Sequence, residues 1–97
     1  MSEHLDRARE YHHAIKEILL HEWDPIGVSR IPQAHDEYDS YVGEVHSLLI
    51  RRASTEKIEE LLWWIETEHM GLAGNRSQTA AIAERLARLP SELEGSA

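Results

Sequence analysis

The chain has 97 residues and a mass of 11.2 kDa, which allows one small domain with a single core. It contains no cysteine, which excludes disulfides, thiolate metal sites and a cysteine nucleophile. Its 18 acidic and 10 basic residues give a net charge of −8, the wrong sign for a protein that binds nucleic acid by releasing counterions. The first residues are polar and no long apolar run follows, so we expect a cytoplasmic protein without a signal peptide or a membrane span.

The first predicted element is a helix over residues 4–22. Apolar and aromatic residues recur there at steps of three and four, which is typical of a helix with one buried face. Asp24-Pro25 ends the helix, because proline disfavours helical geometry at the residue before it. An ordered connector over residues 23–33 follows, in which Gly27 permits a turn conformation that other residues rarely adopt.

The second helix is predicted over residues 34–52. Tyr38 and Tyr41 fall on its inward face together with several aliphatic residues. Because a buried tyrosine hydroxyl needs a hydrogen-bond partner, we expect Asp24 or His35 to supply one.

The third helix is predicted over residues 55–70, with Ser54 as its N-cap and Gly71 as its C-cap. Its apolar residues recur at helical spacing, so we expect them to form the stripe that faces the core. The stripe consists of Ile58, Leu61, Leu62 and Ile65.

The fourth helix is shorter and covers residues 78–89, between Ser77 as N-cap and Pro90 as the residue that stops it. Residues 91–97 are expected to form a frayed tail. No segment alternates as a strand does. We therefore predict an all-α fold, a small antiparallel bundle of three long helices and one short C-terminal helix, with residues 1–90 as its single domain.

The negative charge is concentrated on the two middle helices. Residues 34–49 and 54–70 each carry −4, and the rest of the chain sums to zero. With the apolar stripe turned inward, an ideal helix places Trp63 and Met70 on the outside and Trp64 on the flank. Exposed tryptophan is typical of an interface hot spot, although another helix, the connector or a second copy could cover Trp63 instead. The predicted protein-binding surface is Trp63, Met70, Glu56, Glu59, Glu60 and Glu66.

The seven histidines raise the question of a metal site. Glu10/His13 and Glu66/His69 have the Glu-x-x-His spacing of di-iron bundles, but roughly one such pair is expected by chance in this composition. The first helix turns Glu10, His13, Glu17 and His21 towards solvent, whereas a bundle site needs inward ligands. We predict solvated histidines, with no metal, cofactor or catalytic residue.

Three stretches of the chain look familiar in their order and spacing. They are Trp23-Asp24-Pro25-Ile26-Gly27, Asp36-Glu37-Tyr38-Asp39-Ser40-Tyr41 and His69-Met70-Gly71-Leu72. Together they resemble the small bacterial family typified by YugE, a group of short helical proteins without established function. The resemblance covers about residues 10–72. It implies a compact helical bundle in the bacterial cytoplasm and supplies no catalytic residues.

The first two of these stretches have a structural and a functional interpretation. In the structural one, Trp23 closes the end of the core and the stretches fix the connector against the bundle. In the functional one, they form one recognition surface. Its members are Trp23, Asp24, Pro25, Gly27, Asp36, Glu37 and Asp39.

These observations favour a non-enzymatic protein-binding module. The acidic middle helices would attract a basic protein partner, as immunity or antitoxin-like proteins do. The alternative is a structural homo-oligomer, such as a homodimer, whose interface hides Trp63 and Trp64. A His/Glu metal-dependent helical-bundle enzyme is the third and least favoured hypothesis. The charge disfavours both membrane and nucleic-acid binding.

Overall fold

The computed structural model describes residues 3–28, 30–34 and 36–94, which form helices and connections without a strand among them. The predicted all-α bundle is therefore confirmed. Helix α1 (Glu3–Glu17) continues as the π-helical segment Ile18–Trp23, and the short 3-10 turn Pro32–Ala34 lies in the connector. The remaining helices are α2 (Asp39–Ile50), α3 (Thr55–Trp64) with its π-helical continuation Ile65–His69, α4 (Arg76–Ala87) and α5 (Leu89–Glu94).

The helices pack around one cluster of buried apolar side chains. Helix α1 lies against α2, α3 against α4, and the π-helical end of α1 against α4. Residues 51–54 alone join α2 to α3, and such short connections produce antiparallel neighbours. None of the described helices is long and apolar enough to cross a membrane. The fully enclosed aliphatic core residues are Ile15, Leu19, Val45, Ile58, Leu62, Ile65, Ala83 and Leu86.

The N-caps of α3 and α4 confirm one predicted helix start and correct the other. Ser54 is confirmed as the N-cap of α3, because its hydroxyl accepts a hydrogen bond from the Lys57 N–H at 3.3 Å. Ser77 is not the N-cap of α4. The Asn75 side chain takes that role by accepting from the Gln78 N–H at 3.1 Å, so α4 begins two residues earlier than predicted.

The C-terminal residues correct the predicted tail. Leu89–Glu94 form α5, since Pro90 lies in the first helical turn, where its missing N–H breaks no hydrogen bond. The Tyr11 hydroxyl donates to the Glu94 side chain and so ties α5 to α1; burial and this contact raise the pKa of Tyr11 to about 12. The prediction of fraying from residue 91 is wrong as far as Glu94, and the last three residues lie outside the described part.

Two helices end in π-helical turns, where the sequence predicts ordinary α-helix. The Asp24 N–H donates to the Leu19 carbonyl at 2.9 Å, and the Met70 N–H donates to the Ile65 carbonyl at 2.8 Å. Each bond spans five residues, so the turn holds more residues than an α-helical turn and rotates the side chains that follow it. The two π-helical segments contain Trp23 and Glu66, which meet in the core.

Helix α2 is shorter at its start than predicted. It begins at Asp39 and not at residue 34. The backbone N–H groups of Ile31, Ala34, Glu37 and Asp39 each donate to the carbonyl three residues earlier, so separate turns precede the helix. Tyr38, the last residue before the helix, is buried. Its side chain links the connector to the bundle.

Candidate functional site

The first two motif stretches meet at the hydrogen-bonded pair Tyr38 and Asp24. The Tyr38 hydroxyl donates to Asp24 Oδ1 at 2.8 Å and accepts from the Ile26 N–H at 3.2 Å. The same carboxylate oxygen accepts from the Val28 N–H at 2.8 Å. Asp24 is therefore confirmed as a partner for Tyr38, while His35 lies outside the described residues.

This pair fixes the connector at the end of the core. Asp24 holds the left-handed backbone conformation at φ 37°, and Gly27 does so at φ 70°, as the sequence predicts for that glycine. Trp23 is only 2% exposed and its ring lies 5.7 Å from the ring of Tyr38, so it closes the core as predicted. Burial of the Tyr38 hydroxyl raises its pKa well above the ordinary value of 10.0.

The other described residues of the predicted recognition surface lie around this pair. Pro25 is half-buried, whereas Gly27, Asp36, Glu37 and Asp39 are exposed. Asp39 forms an ion pair with Lys16 at 3.2 Å, which links α2 to α1. These contacts support the structural interpretation of the two stretches. A recognition surface on them stays a prediction.

Glu66 is buried inside the bundle, with 4% of its surface exposed. Its side chain accepts hydrogen bonds from Trp23 Nε1, from the Thr79 hydroxyl at 2.8 Å and from the Asn75 N–H at 3.3 Å. The prediction that Glu66 surrounds an exposed tryptophan is wrong, because α4 covers this flank of the π-helical segment. Buried polar groups of this kind are stable only when hydrogen-bonded, and here Glu66 joins three parts of the chain.

Trp63 is half-buried, which agrees with the alternative that the chain itself covers it and not with an exposed anchor. The Arg76 guanidinium lies over its ring at 4.7 Å, and Gly74 approaches so closely that a Cβ there would meet the ring at 2.7 Å. Met70, also predicted to point outwards, is half-buried against the core. Glu59 pairs with Arg76 at 2.9 Å. The chain itself thus covers this face of α3.

The exposed tryptophan of α3 is Trp64, with 52% of its surface exposed and its ring stacked on His69 at 5.7 Å. It borders an open groove of about 510 Å³ between α2 and α3, together with the half-buried Leu48 and Leu61. We name this surface the Trp64 groove. Its other lining residues are Glu44, Ser47, Arg51, Lys57 and Glu60.

Of the four glutamates in the predicted protein-binding surface, Glu60 alone lines this groove. Glu56 is exposed outside it. A helical wheel that places the apolar stripe at the centre of the buried face does not predict the groove, because the residues of the stripe differ in how deeply they are buried. Ile58 and Ile65 are fully buried, whereas Leu61 is half-exposed on the side that faces α2. The signal available in the sequence was the pair of leucines, Leu48 and Leu61, on the adjoining flanks of two consecutive helices.

The Trp64 groove is lined by side chains of both signs. Arg51 and Lys57 lie beside the turn that joins α2 to α3, Glu60 lies one helical turn after Lys57, and Glu44 lies within α2. None of these four side chains forms an ion pair with the described residues. With two bases and two acids in its lining, the groove carries no formal net charge, unlike the acidic surface predicted from the net charge.

Four histidine and glutamate side chains of α1 and its π-helical continuation face solvent, as the sequence predicts. Glu10, His13, Glu17 and His21 are all exposed. Among the described residues, no three His, Asp or Glu side chains lie close enough together to hold a metal ion.

A pair of histidines links α1 to α2. His12 Nε2 and His46 Nδ1 lie 3.0 Å apart, so one ring donates a hydrogen bond to the other. The His46 ring also stacks on Tyr11 at 5.1 Å. Burial and the neighbouring His12 lower the pKa of His46 below its ordinary 6.5.

This lowered pKa makes the free energy of unfolding depend on pH. Because the unfolded chain takes up the His46 proton at a higher pH than the folded chain, protonation favours unfolding. The contribution of neutral His46 to the free energy of unfolding is fully present well above pH 6.5. It is expected to decline as the pH falls through 6.5 towards the folded-state pKa of His46. In urea titrations at pH 7.5 and 5.5, His46→Gln should lose less stability on acidification than the wild type. The exposed His13→Gln control should lose as much as the wild type, and equal losses in all three proteins would contradict the assignment.

Comparisons with protein-family models, curated proteins and solved structures found no match to this chain. The resemblance to the YugE-like family therefore stays a prediction.

Proposed function

We propose that this chain is a non-enzymatic protein-binding module that engages its partner through the Trp64 groove. The observation that carries the proposal is the exposed side chain of Trp64 beside two half-buried leucines. Tryptophan is enriched among the residues that dominate binding energy, and such residues lie in apolar patches surrounded by polar ones. The Trp64 groove has this composition.

The contrast with the adjacent tryptophan supports the proposal. Trp63 is covered from within the chain by Gly74 and Arg76. No described residue covers Trp64 in a comparable way, and its ring stacks on His69, which is itself exposed. Burying an aromatic side chain in an interface contributes roughly 25 cal/mol for each Å² of apolar surface removed from water, so a partner gains most by covering Trp64.

A basic protein is a second candidate partner, favoured by the net charge of −8. Glu37, Glu56 and Glu68 are exposed outside the Trp64 groove and add to a negative field that speeds association with a positive surface. A partner of the kind that immunity or antitoxin-like proteins bind would then show strongly salt-dependent association. In this proposal the chain acts in the bacterial cytoplasm, as its resemblance to the YugE-like family implies.

The proposal predicts that Trp64→Ala abolishes partner binding without unfolding the protein. Because Trp64 is exposed, its truncation should change the free energy of unfolding by only about 0.5 kcal/mol. The matched control is Ile31→Ala, another exposed apolar residue, which does not line the groove. Immobilised wild type and Ile31→Ala should retain the same protein from a lysate of the source organism, and Trp64→Ala should not. Equal retention by all three proteins contradicts the proposal.

A further inference from the structure

We infer that His12 and His46 together bind a divalent transition-metal ion such as Zn²⁺, which joins α1 to α2. The site goes beyond the proposed function, since neither histidine lines the Trp64 groove. His12 lies on α1 and His46 on α2, yet His12 Nε2 and His46 Nδ1 are only 3.0 Å apart. Imidazole nitrogen is the protein ligand that such ions take most often.

The distance between the two nitrogens fits one shared ion. Bonds from zinc to imidazole nitrogen are about 2.0–2.1 Å long, so two such bonds that meet at an angle of about 95° place the nitrogens about 3.0 Å apart. That angle lies between those of octahedral and tetrahedral ions, and zinc has no geometric preference from its own electrons. The observed separation of 3.0 Å is therefore that of a chelate, and neither helix has to move when the ion binds.

The inclination of the two rings supports the same interpretation. A straight hydrogen bond of the observed length would hold the ring centres about 5.3 Å apart, because each nitrogen lies about 1.15 Å from its ring centre. The ring centres are only 4.7 Å apart, and the ring planes cross at 89°. Two imidazoles that meet at one ion at about 95° have their ring centres about 4.7 Å apart. One ion position therefore accounts for both observed distances.

The surroundings of His46 hold its ring in place. The ring is half-buried and stacks on Tyr11 at 5.1 Å. Tyr11 is itself buried, and its hydroxyl donates to the Glu94 side chain, so the His46 ring lies against a fixed surface. A ligand that its neighbours already orient loses little freedom when the ion binds. His12 is exposed, which gives the ion a path to the pair from solvent.

The open side of the pair leaves room for the rest of the coordination shell. His12 lines a groove of about 460 Å³ between α1 and α2, and Gly43, one turn before His46, lines it as well. A Cβ at Gly43 would meet no atom within 4 Å. Since no third His, Asp or Glu side chain completes a group among the described residues, water would fill the remaining positions. The Lys16 ammonium in this groove is paired with Asp39 at 3.2 Å, which offsets its repulsion of a cation.

The two imidazoles would bind the ion through a defined pair of atoms. Without an ion, one proton lies between His12 Nε2 and His46 Nδ1, because one ring donates to the other. Coordination needs the lone pairs of both atoms, so the donating ring must carry its proton on its other nitrogen instead. In the complex, His12 is therefore protonated at Nδ1 and His46 at Nε2.

Isothermal titration calorimetry of the full chain with Zn²⁺ at pH 7.5 tests the inference. The wild type should bind one ion per chain, and His12→Gln and His46→Gln should each raise the dissociation constant at least about ten-fold. The matched controls are His13→Gln, the exposed neighbour of His12, and His21→Gln, which removes the ion pair with Glu17. Both controls should bind Zn²⁺ as the wild type does.

Three results of the titration would overturn the inference. They are the absence of Zn²⁺ binding by the wild type, binding that His12→Gln leaves unchanged, and binding that the two controls weaken as much as His12→Gln does. Because His12 is exposed, His12→Gln should keep the circular dichroism spectrum of the wild type. This variant gives a result in a folded chain whatever His46→Gln does to the fold.

Two further measurements identify the ligands directly. Zn²⁺ should raise the Tm of the wild type and leave that of His12→Gln unchanged, because the two histidines meet only in the folded chain. Nitrogen NMR of the imidazole rings should show coordination at His12 Nε2 and His46 Nδ1. An equal rise of Tm in both proteins, or coordination at other histidines alone, overturns the inference.

Discussion

Replacing Glu66 with alanine is expected to destabilise the protein by about 3–5 kcal/mol, more than any other polar substitution in the described part of the chain. The substitution leaves Trp23 Nε1 and the Asn75 N–H without their acceptor, and the Thr79 hydroxyl keeps only the Asn75 carbonyl at 2.9 Å. Each buried donor left unpaired costs about 1–3 kcal/mol. Chemical unfolding followed by circular dichroism measures the loss.

A second variant keeps the test informative, since a domain of this size has a total stability of only about 5–15 kcal/mol. Glu66→Gln preserves the shape and one acceptor oxygen but turns an N–H group towards one of the donors. We expect it to cost about 1–3 kcal/mol and to remain folded. Glu60→Ala is the exposed control, with a change of about 0.5 kcal/mol or less. If Glu66→Ala and Glu60→Ala lower the free energy of unfolding equally, the hydrogen bonds of Glu66 do not stabilise the fold.

The second large effect is expected at Asp24, where alanine should cost about 2–4 kcal/mol. The Asp24 side chain accepts from the Tyr38 hydroxyl and from the Val28 N–H, both at 2.8 Å. Its backbone also holds the left-handed conformation, which aspartate and asparagine tolerate better than alanine does. Both contributions are lost in Asp24→Ala.

Two matched variants separate these contributions. Asp24→Asn keeps an acceptor oxygen and the tolerance of left-handed backbone, so it should cost less than about 1 kcal/mol. Tyr38→Phe removes only the hydroxyl and should cost about 1–2 kcal/mol. Urea unfolding of the single variants and of the double variant Asp24→Ala/Tyr38→Phe gives their coupling, which should be at least about 0.5 kcal/mol. If Asp24→Asn is as destabilising as Asp24→Ala, the negative charge and not the acceptor geometry stabilises the connector.

Local patterns in the sequence predict much of this fold. Apolar spacing identifies the helices, because a half-buried helix repeats every 3.6 residues whatever surrounds it. Ser54 and Gly27 are predictable because capping and left-handed turns depend on one residue and its immediate backbone. The pairing of Tyr38 with Asp24 is also predictable, since a buried hydroxyl requires an acceptor and few are near.

The candidate site is harder to predict because it depends on which flank of α3 is covered. A helical wheel gives the angle between Trp63 and Trp64 but not the neighbour that each one meets. Gly74 and Arg76 cover the first, and no part of α2 reaches over the second. The burial of Glu66 is missed for the same reason, because its partners lie outside α3: Trp23 in the π-helical segment after α1, Asn75 before α4 and Thr79 on α4.

The three tryptophans occupy three different environments, which gives the protein a built-in set of optical reporters. Trp23 is enclosed beside the Glu66 side chain, Trp63 lies under a guanidinium, and Trp64 faces solvent. Their indoles therefore differ in polarity and in access to a soluble quencher such as iodide. Quenching of the most accessible emission reports on Trp64 and its occupant, while the most shielded emission follows the opening of the core. Unfolding and association can be distinguished in one cuvette, without a label.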